Sequence, residues 1–267
     1  MQKMMQEEQT GVSPPEYTGE RLDPRTHSPE ILQEHAARYV FAARYCSGKR
    51  VLDVASGVGY GTDYLRSHGA NAVGLEIDEQ SVRYARHQYP SSTFVQGSAE
   101  RMPNDWGMAY DVVVSFETIE HLERADNFLK EVFRCLRPGG LFICSTPNKS
   151  LYLFEGHNQF HVKEFYSGEF QRFIGTLFRV RQVFGQTPHP RWQVVFMGLH
   201  SIVRKVLRAL HIPPLRVTTV FVDSEITSPF EGNSICKERV RSEFLPTSIP
   251  SNCVPAFLVV LAEKSSE

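Results

Sequence analysis

The sequence predicts an α/β fold, a mostly parallel sheet with helices on both faces. Three observations lead there. Short β-branched runs alternate with segments of helical periodicity from Arg50 to Ser145, the pattern of strands joined by crossover helices. A glycine-rich turn, with Gly57, Gly59 and Gly61, follows the first of these runs directly, where the chain must swing from strand into helix. A late apolar run, residues 256–263, stands apart from the alternation and supplies a final strand. A chain of 267 residues suits one such domain with a modest insertion.

In chain order, Ser28, Pro29 and Glu30 form a helix-start signal: a capping residue, a proline at the first helical position and an acid. Ile31, Leu32, His35, Ala36, Tyr39, Val40 and Ala43 then recur at helical spacing. Residues 1–46 are expected to cover the domain's N-terminal side. Strands are predicted at 50–54, 71–75, 93–96, 111–115 and 141–145, with helices at 60–66, from Asp78 to near Tyr89, and at 122–134. The last of these helices is closed by Pro138-Gly139-Gly140. A short helix at 167–173 and a strand at 178–186 follow, and 256–263 brings the strands to seven. Residues 188–255 read as an irregular, proline-rich insertion holding a basic amphipathic helix at 199–210.

Composition narrows the function. At 41% hydrophobic and 22% charged residues the chain is ordinary for a globular protein, and a net charge of −1 disfavours nucleic acid as a bulk partner. Five cysteines without a CxxC pair argue against a zinc ribbon or disulfide scaffold. The N-terminal residues are polar, unlike a signal peptide, and no apolar stretch reaches about 18 residues, so a cytoplasmic location is expected. Arg204, Lys205 and Arg208 on the 199–210 helix leave three roles open: covering the core, a lid over substrate, or a peripheral membrane contact.

The sharpest signal is VLDVASGVGYG, residues 51–61. An apolar strand ends in Asp53, and the glycines after it let a ligand approach the backbone closely. The spacing is not that of a dinucleotide loop, because the third glycine falls due at Thr62. Asp53 also precedes the loop, which disfavours a pyrophosphate and suits a ligand bearing an ammonium group. Glu76 ends the second strand, where an acid accepts hydrogen bonds from ribose hydroxyls. Gly97-Ser98-Ala99-Glu100 follows the third strand, where backbone groups and Ser98 could read an exocyclic amine; an ordinary turn is the alternative.

These elements resemble motif I, the ribose-binding acid and the adenine loop of class I S-adenosylmethionine-dependent methyltransferases. DVVVSFETIEHL (111–122), LRPGGLFICSTPN (136–148) and the closing run from Pro255 fit the same order. The resemblance covers about residues 17–187 and 255–264, and departs at Ala55, where the family often has glycine. It implies a Rossmann-like seven-stranded sheet whose last strand inserts antiparallel beside the fifth, with S-adenosyl-L-methionine as cofactor. The implied cofactor residues are Asp53, Ala55, Ser56, Gly57, Gly59, Glu76, Ile77, Ser98, Ala99, Glu100 and Phe116. YTGERLDP (17–24) and EHAARYVFAA (34–43) resemble a bacterial subgroup associated with glycan and O-antigen modification. By that resemblance Glu20, Arg21, His35, Arg38 and Tyr39 would close over the cofactor. Arg21 suits the methionine carboxylate through its forked donors, or else makes a salt bridge to a neighbouring acid.

An alcohol acceptor must lose a proton as it is methylated, to a base or with the help of a divalent metal. Glu117-Thr118-Ile119-Glu120-His121 follows the fourth strand at its carboxyl end. On a helical turn, spacings of three and four place Glu117, Glu120 and His121 on one face, where they could bind Mg²⁺ or another divalent ion. The turn resembles the metal-binding turn of ubiquinone-pathway O-methyltransferases and of small-RNA 2′-O-methyltransferases, and the latter carry a further histidine after the fifth strand. In this chain His157 and His161 follow Pro147-Asn148, and His161, ahead of an acid–aromatic pair, is the expected fourth ligand. Without a metal the Glu-His turn packs the loop, and His121 or His161 becomes the general base. Glu117, His121 and His161 are the expected catalytic residues.

The expected function is methylation of a hydroxyl on a small molecule or glycan. An RNA ribose 2′-O-methyltransferase is the second reading, opposed by a sequence pI of about 6.8 and the lack of a basic arm. A catalytically inactive cofactor-binding subunit is the third, opposed by the intact Glu117, Glu120, His121 and His161. Methylation at nitrogen or carbon stays open.

Overall fold

The computed structural model describes residues 27–152, 158–190 and 226–266, with Pro15, Leu22, Pro24, Val195 and Leu199 as isolated positions. Arg21, Glu20, His157 and most of the 199–210 helix lie outside the described residues. The elements run α1 (Pro29–Ala43), β1 (Arg50–Val54), α2 (Tyr60–Ser67), β2 (Asn71–Glu76), α3 (Glu79–Gln88), β3 (Thr93–Gln96), β4 (Tyr110–Ser115), α4 (Ala125–Cys135), β5 (Leu136–Pro147), α5 (Lys149–Tyr152), α6 (Ser167–Ile174) and β6 (Arg179–Pro190). A small ribbon, β7 (Phe230–Glu231) and β8 (Ser234–Ile235), precedes β9 (Cys253–Glu263).

Seven strands form one sheet in the order β3-β2-β1-β4-β5-β9-β6. β1 to β5 run parallel to one another, and β9 runs antiparallel between β5 and β6. This is the expected Rossmann-like sheet with its inserted last strand. The order reverses between β1 and β4, which opens a crevice at the carboxyl ends of the strands.

Alternation along the strands builds two apolar layers. Val51, Val112, Ile143 and Val259 face one way, with Tyr39, Tyr64 and Val82 from the helices. Leu52, Val113, Phe142 and Val260 face the other, with Phe128, Leu129 and Phe170. Most of these strand side chains are wholly buried, at roughly 1.5–3 kcal/mol each.

Four expectations need correction. β5 begins at Leu136, so Pro138-Gly139-Gly140 lies within the strand; its register against β4 slips between the Tyr110 and Val112 pairs, and Lys264, just past β9, bonds to Gly139 and Gly140 through its backbone. β6 runs on to Pro190 and β9 starts at Cys253, because each pairs with the other over this length. The helix expected at 122 starts at Ala125, after a short 3₁₀ turn over Ile119–His121. Ser28 occupies the N-cap position of α1, but its side chain caps nothing; the hydroxyl meets Glu30 instead. Asp78 caps α3 as expected, accepting from the Ser81 N–H. No helix among the described residues is long and apolar enough to cross a membrane.

Candidate functional site

The carboxyl ends of the central strands open onto a cleft of about 640 Å³, within the size range of small-ligand sites. Its walls are the glycine loop after β1, Glu76–Asp78 after β2, residues 97–100 after β3, residues 116–123 after β4, Pro147, and the loop bearing Asn158 and His161. Leu22, His27, Ile31, Glu34, His35 and Tyr39 close it from the N-terminal side, and Phe257 from β9.

At the glycine loop Ala55 and Gly57 both take left-handed backbone, with φ of 59° and 56°. For Ala55 that conformation costs about 1 kcal/mol, a strain glycine would not feel. Gly57 N–H donates to Glu76 Oε2 at 2.8 Å, and Asp78 N–H to Glu76 Oε1 at 3.0 Å. Glu76 thus ties the loop after β1 to the end of β2 while its carboxylate lines the cleft. Ser56 Oγ, in the same wall, is buried without a hydrogen-bond partner. Ile77 is 67% exposed at the rim. Ser98 Oγ accepts from the Glu100 N–H at 3.2 Å and so closes its own turn.

Two of the expected cofactor residues do not line the cleft. Asp53 is buried behind the loop, where Thr62 Oγ1 donates to it at 2.7 Å and Tyr39 Oη at 3.2 Å. Tyr39 is the nearer surface for a ligand, and its ring lies so close over Gly61 that a Cβ there would sit 1.9 Å from it. Burial pushes the Asp53 carboxyl up to about 7, against the pull of its two hydroxyl donors. Gly59 starts α2 with φ 91°, and a Cβ on it would meet Ala85 and Phe94 at 2.7 Å. The glycine serves packing and the turn.

The turn after β4 departs from the expected helical face. Glu117 has φ 51° and is bracketed by Ser145: its N–H donates to Ser145 Oγ at 3.1 Å, and the same hydroxyl donates to Glu117 Oε1 at 2.6 Å. Its carboxylate turns toward Arg38, whose Nη2 is 3.7 Å away. Arg38 is wholly buried over the Phe257 ring, and its Nε donates to Gln186.

Glu120, His121 and His161 do come together, with ligand atoms all within 4.8 Å of one another. Glu117 is outside that group, so three of the four side chains expected as ligands lie close enough together to hold an ion. Glu120 is completely buried; Oε2 accepts from Thr146 Oγ1 at 3.1 Å and Oε1 has no hydrogen-bond partner. Burial, and then the charge of Glu117, hold its carboxyl well above the usual range. His121 Nδ1 donates to Phe160 O at 3.0 Å. His161 lies edge-on to His121, ring centroids 5.0 Å apart.

Several cleft residues had no sequence signal. His27, Glu34, Asn158 and Phe257 arrive from distant segments; Glu34 and Phe257 fall inside runs that resemble the family, but none of the four stood out as a site residue. Seven acidic side chains line the cleft, from Glu34, Glu76, Asp78, Glu100, Glu117, Glu120 and Glu123, with four histidines and, among the described lining residues, no lysine or arginine. The wall favours cationic and uncharged ligands over anions.

Comparison with known proteins sets this site beside others. A family described as a methyltransferase domain matches residues 52–144, from β1 into β5. A Mycolicibacterium smegmatis protein named as a probable S-adenosylmethionine-dependent methyltransferase is 34% identical over 174 residues, 63% of this chain and 67% of that one. The phthiotriol/phenolphthiotriol dimycocerosates methyltransferase of Mycobacterium leprae is 41% identical over 98 residues, 35% of this chain and 36% of its own length. Among solved structures, an S-adenosylmethionine-dependent methyltransferase of Thermotoga maritima aligns with TM-score 0.55 at 14% identity, over 88% of this chain and 92% of that one. That last likeness is one of fold.

Proposed function

The chain belongs to the class I S-adenosylmethionine-dependent methyltransferases, and from that premise we propose that it methylates a hydroxyl oxygen on an uncharged small molecule or sugar. The cofactor supplies a methyl group already activated on a sulfonium. Ser56, Gly57 and Glu76 would hold it, with Ile77 and residues 98–100 at the adenine end and Phe116 beside the transferred group. The lone pairs left on Glu76 after its bonds to the Gly57 and Asp78 N–H groups fit a ligand rich in hydroxyl groups.

The observation that carries the reading is the acceptor end of the cleft, where His121 and His161 converge beside Glu117 and Glu120. An alcohol needs a proton acceptor there, and an imidazole suits that task near neutral pH. The acid-lined wall supports an uncharged acceptor and opposes RNA, whose phosphates it would repel.

The test follows S-adenosylhomocysteine formation over free sugars, methyl glycosides, a quinol and a long-chain diol, each beside its phosphate ester. The expected result is methylation at oxygen, with the phosphate esters slower by tenfold or more. Methylation only at nitrogen or carbon, or faster turnover of the esters, would falsify the assignment.

A divalent cation is a second reading, favoured by the buried and unpartnered Glu120 Oε1 within the three-residue cluster. Glu120, His121 and His161 would hold the ion, which would stabilise an alkoxide. Its signature is a Mn²⁺-dependent rise in the melting temperature of the S-adenosylhomocysteine complex that disappears in Glu120→Ala. A melt indifferent to Mn²⁺ and EDTA, together with EDTA-resistant turnover, removes the metal and leaves a histidine base.

A further inference from the structure

The loop that carries His161 is fastened on several sides. The Val162 and Lys163 N–H groups both donate to Glu120 O, at 2.8 and 3.1 Å, and Lys149 N–H donates to Phe165 O at 2.9 Å. His161 N–H donates to Asn158 O at 3.0 Å, and Phe160 O receives His121 Nδ1. With the backbone held, what remains to be fixed at His161 is which ring nitrogen carries the proton.

Glu164 decides this. Its Oε1 lies 3.1 Å from His161 Nδ1, and the two side chains are only 12% and 6% exposed. A carboxylate oxygen accepts, so Nδ1 carries the hydrogen and the lone pair of the neutral ring falls on Nε2. The opposite contact agrees. Asn158 Oδ1 accepts from Phe160 N–H at 3.0 Å, which orients the amide so that Nδ2 donates to His161 Nε2 at 3.1 Å. His121 differs in kind, since its Nδ1 meets a backbone carbonyl, which fixes a tautomer without bringing a charge.

We propose that Glu164 is a positioning residue that holds His161 with its Nε2 lone pair toward the acceptor and stabilises the positive charge arriving there. The charge half of this rests on the O-methylation reading; the tautomer half does not. In that reaction the acceptor hydroxyl replaces the Asn158 amide as donor to Nε2. Its proton passes to Nε2 while an oxygen lone pair forms the new bond to the methyl carbon. The carbon–sulfur electron pair returns to sulfur, leaving neutral S-adenosylhomocysteine and an imidazolium beside the Glu164 carboxylate. A cation bound at Nε2 would draw on the same contact, as carboxylate partners of metal-bound histidines do.

The test is the tautomer of His161 read from ring nitrogen chemical shifts in ¹⁵N-histidine-labelled protein, in wild type, Glu164→Gln and Glu164→Leu. The wild type should show a neutral ring protonated at Nδ1. Glu164→Leu should move the ring toward the Nε2-protonated form that free histidine prefers. Glu164→Gln should keep the tautomer, because its amide carbonyl still accepts, while kcat falls about 10- to 100-fold and KM for S-adenosylmethionine stays put. An Nε2-protonated ring in the wild type overturns the proposal, as does an unchanged tautomer in a folded Glu164→Leu or an unchanged kcat in Glu164→Gln. Should Glu164→Leu not fold, the wild-type and Glu164→Gln measurements decide. Should no hydroxyl acceptor be found, the O-methylation reading fails and the tautomer measurement still stands.

Discussion

The Asp53 carboxyl accepts from the hydroxyls of Tyr39 and Thr62. The unfolded chain gives up that carboxyl proton near 3.8, the folded chain only near 7. Between those values the folded state binds more protons, so the contribution of this group to stability falls as pH rises from about 4 to about 7 and is constant above. Asp53→Asn keeps both hydroxyl partners and removes the titration. Its melting temperature should therefore gain on the wild type more at pH 8 than at pH 4. Equal differences at the two pH values in scanning calorimetry would contradict the burial argument. The sequence marked Asp53 for its place before the glycines, yet held no sign that Tyr39 would line the cleft and bond the buried acid behind it. Thr62, which broke the dinucleotide spacing, makes the shorter of the two bonds to Asp53. The place of Glu76 in the cleft wall was legible because it ends the second strand. Glu117 was misread because helical spacing assumes helical backbone, and its left-handed turn toward Ser145 depends on a hydroxyl 28 positions later.

At the scale of elements the alternation of strand and helix was readable throughout the parallel half, where each strand is a short apolar run between turn signals. The ends were readable only where local chemistry sets them, as Asp78 does for α3. β6 and the carboxyl end of β5 outgrew their expected lengths because their outer residues gain partners from β9, while β5 starts early because Leu136 pairs with Tyr110 of β4, tertiary effects that periodicity does not record. The start of α2 is the most constrained joint. Gly59 combines a left-handed φ with contacts to α3 and β3 that leave no room for a methyl group. Gly59→Ala should destabilise the fold by about 2–5 kcal/mol, the sum of left-handed strain and overpacking, read as a lower urea midpoint at unchanged slope. A loss under about 1 kcal/mol would mean that Phe94 yields easily and the joint is looser than its contacts imply.

Across the whole molecule the charges nearly cancel, at 29 basic and 30 acidic side chains, yet the described cleft collects carboxylates without a lysine or arginine among them. S-adenosylmethionine carries a sulfonium charge that S-adenosylhomocysteine lacks. Added salt should therefore weaken binding of the first more than of the second, seen in titration calorimetry at low and high salt as the steeper salt dependence of the two. Parallel salt dependences would mean the acids are compensated by groups outside the described wall. The sheet order has a consequence of another kind. β6 touches the sheet only through β9, and Asn148, at the end of β5, bonds to Pro255 and Ala256 in that same strand. On a translating ribosome residues 179–190 leave the exit tunnel before the strand that will seat them exists. Both edges of that segment then stay open, for as long as some seventy residues take to be synthesised, to a chaperone or to a neighbouring nascent chain.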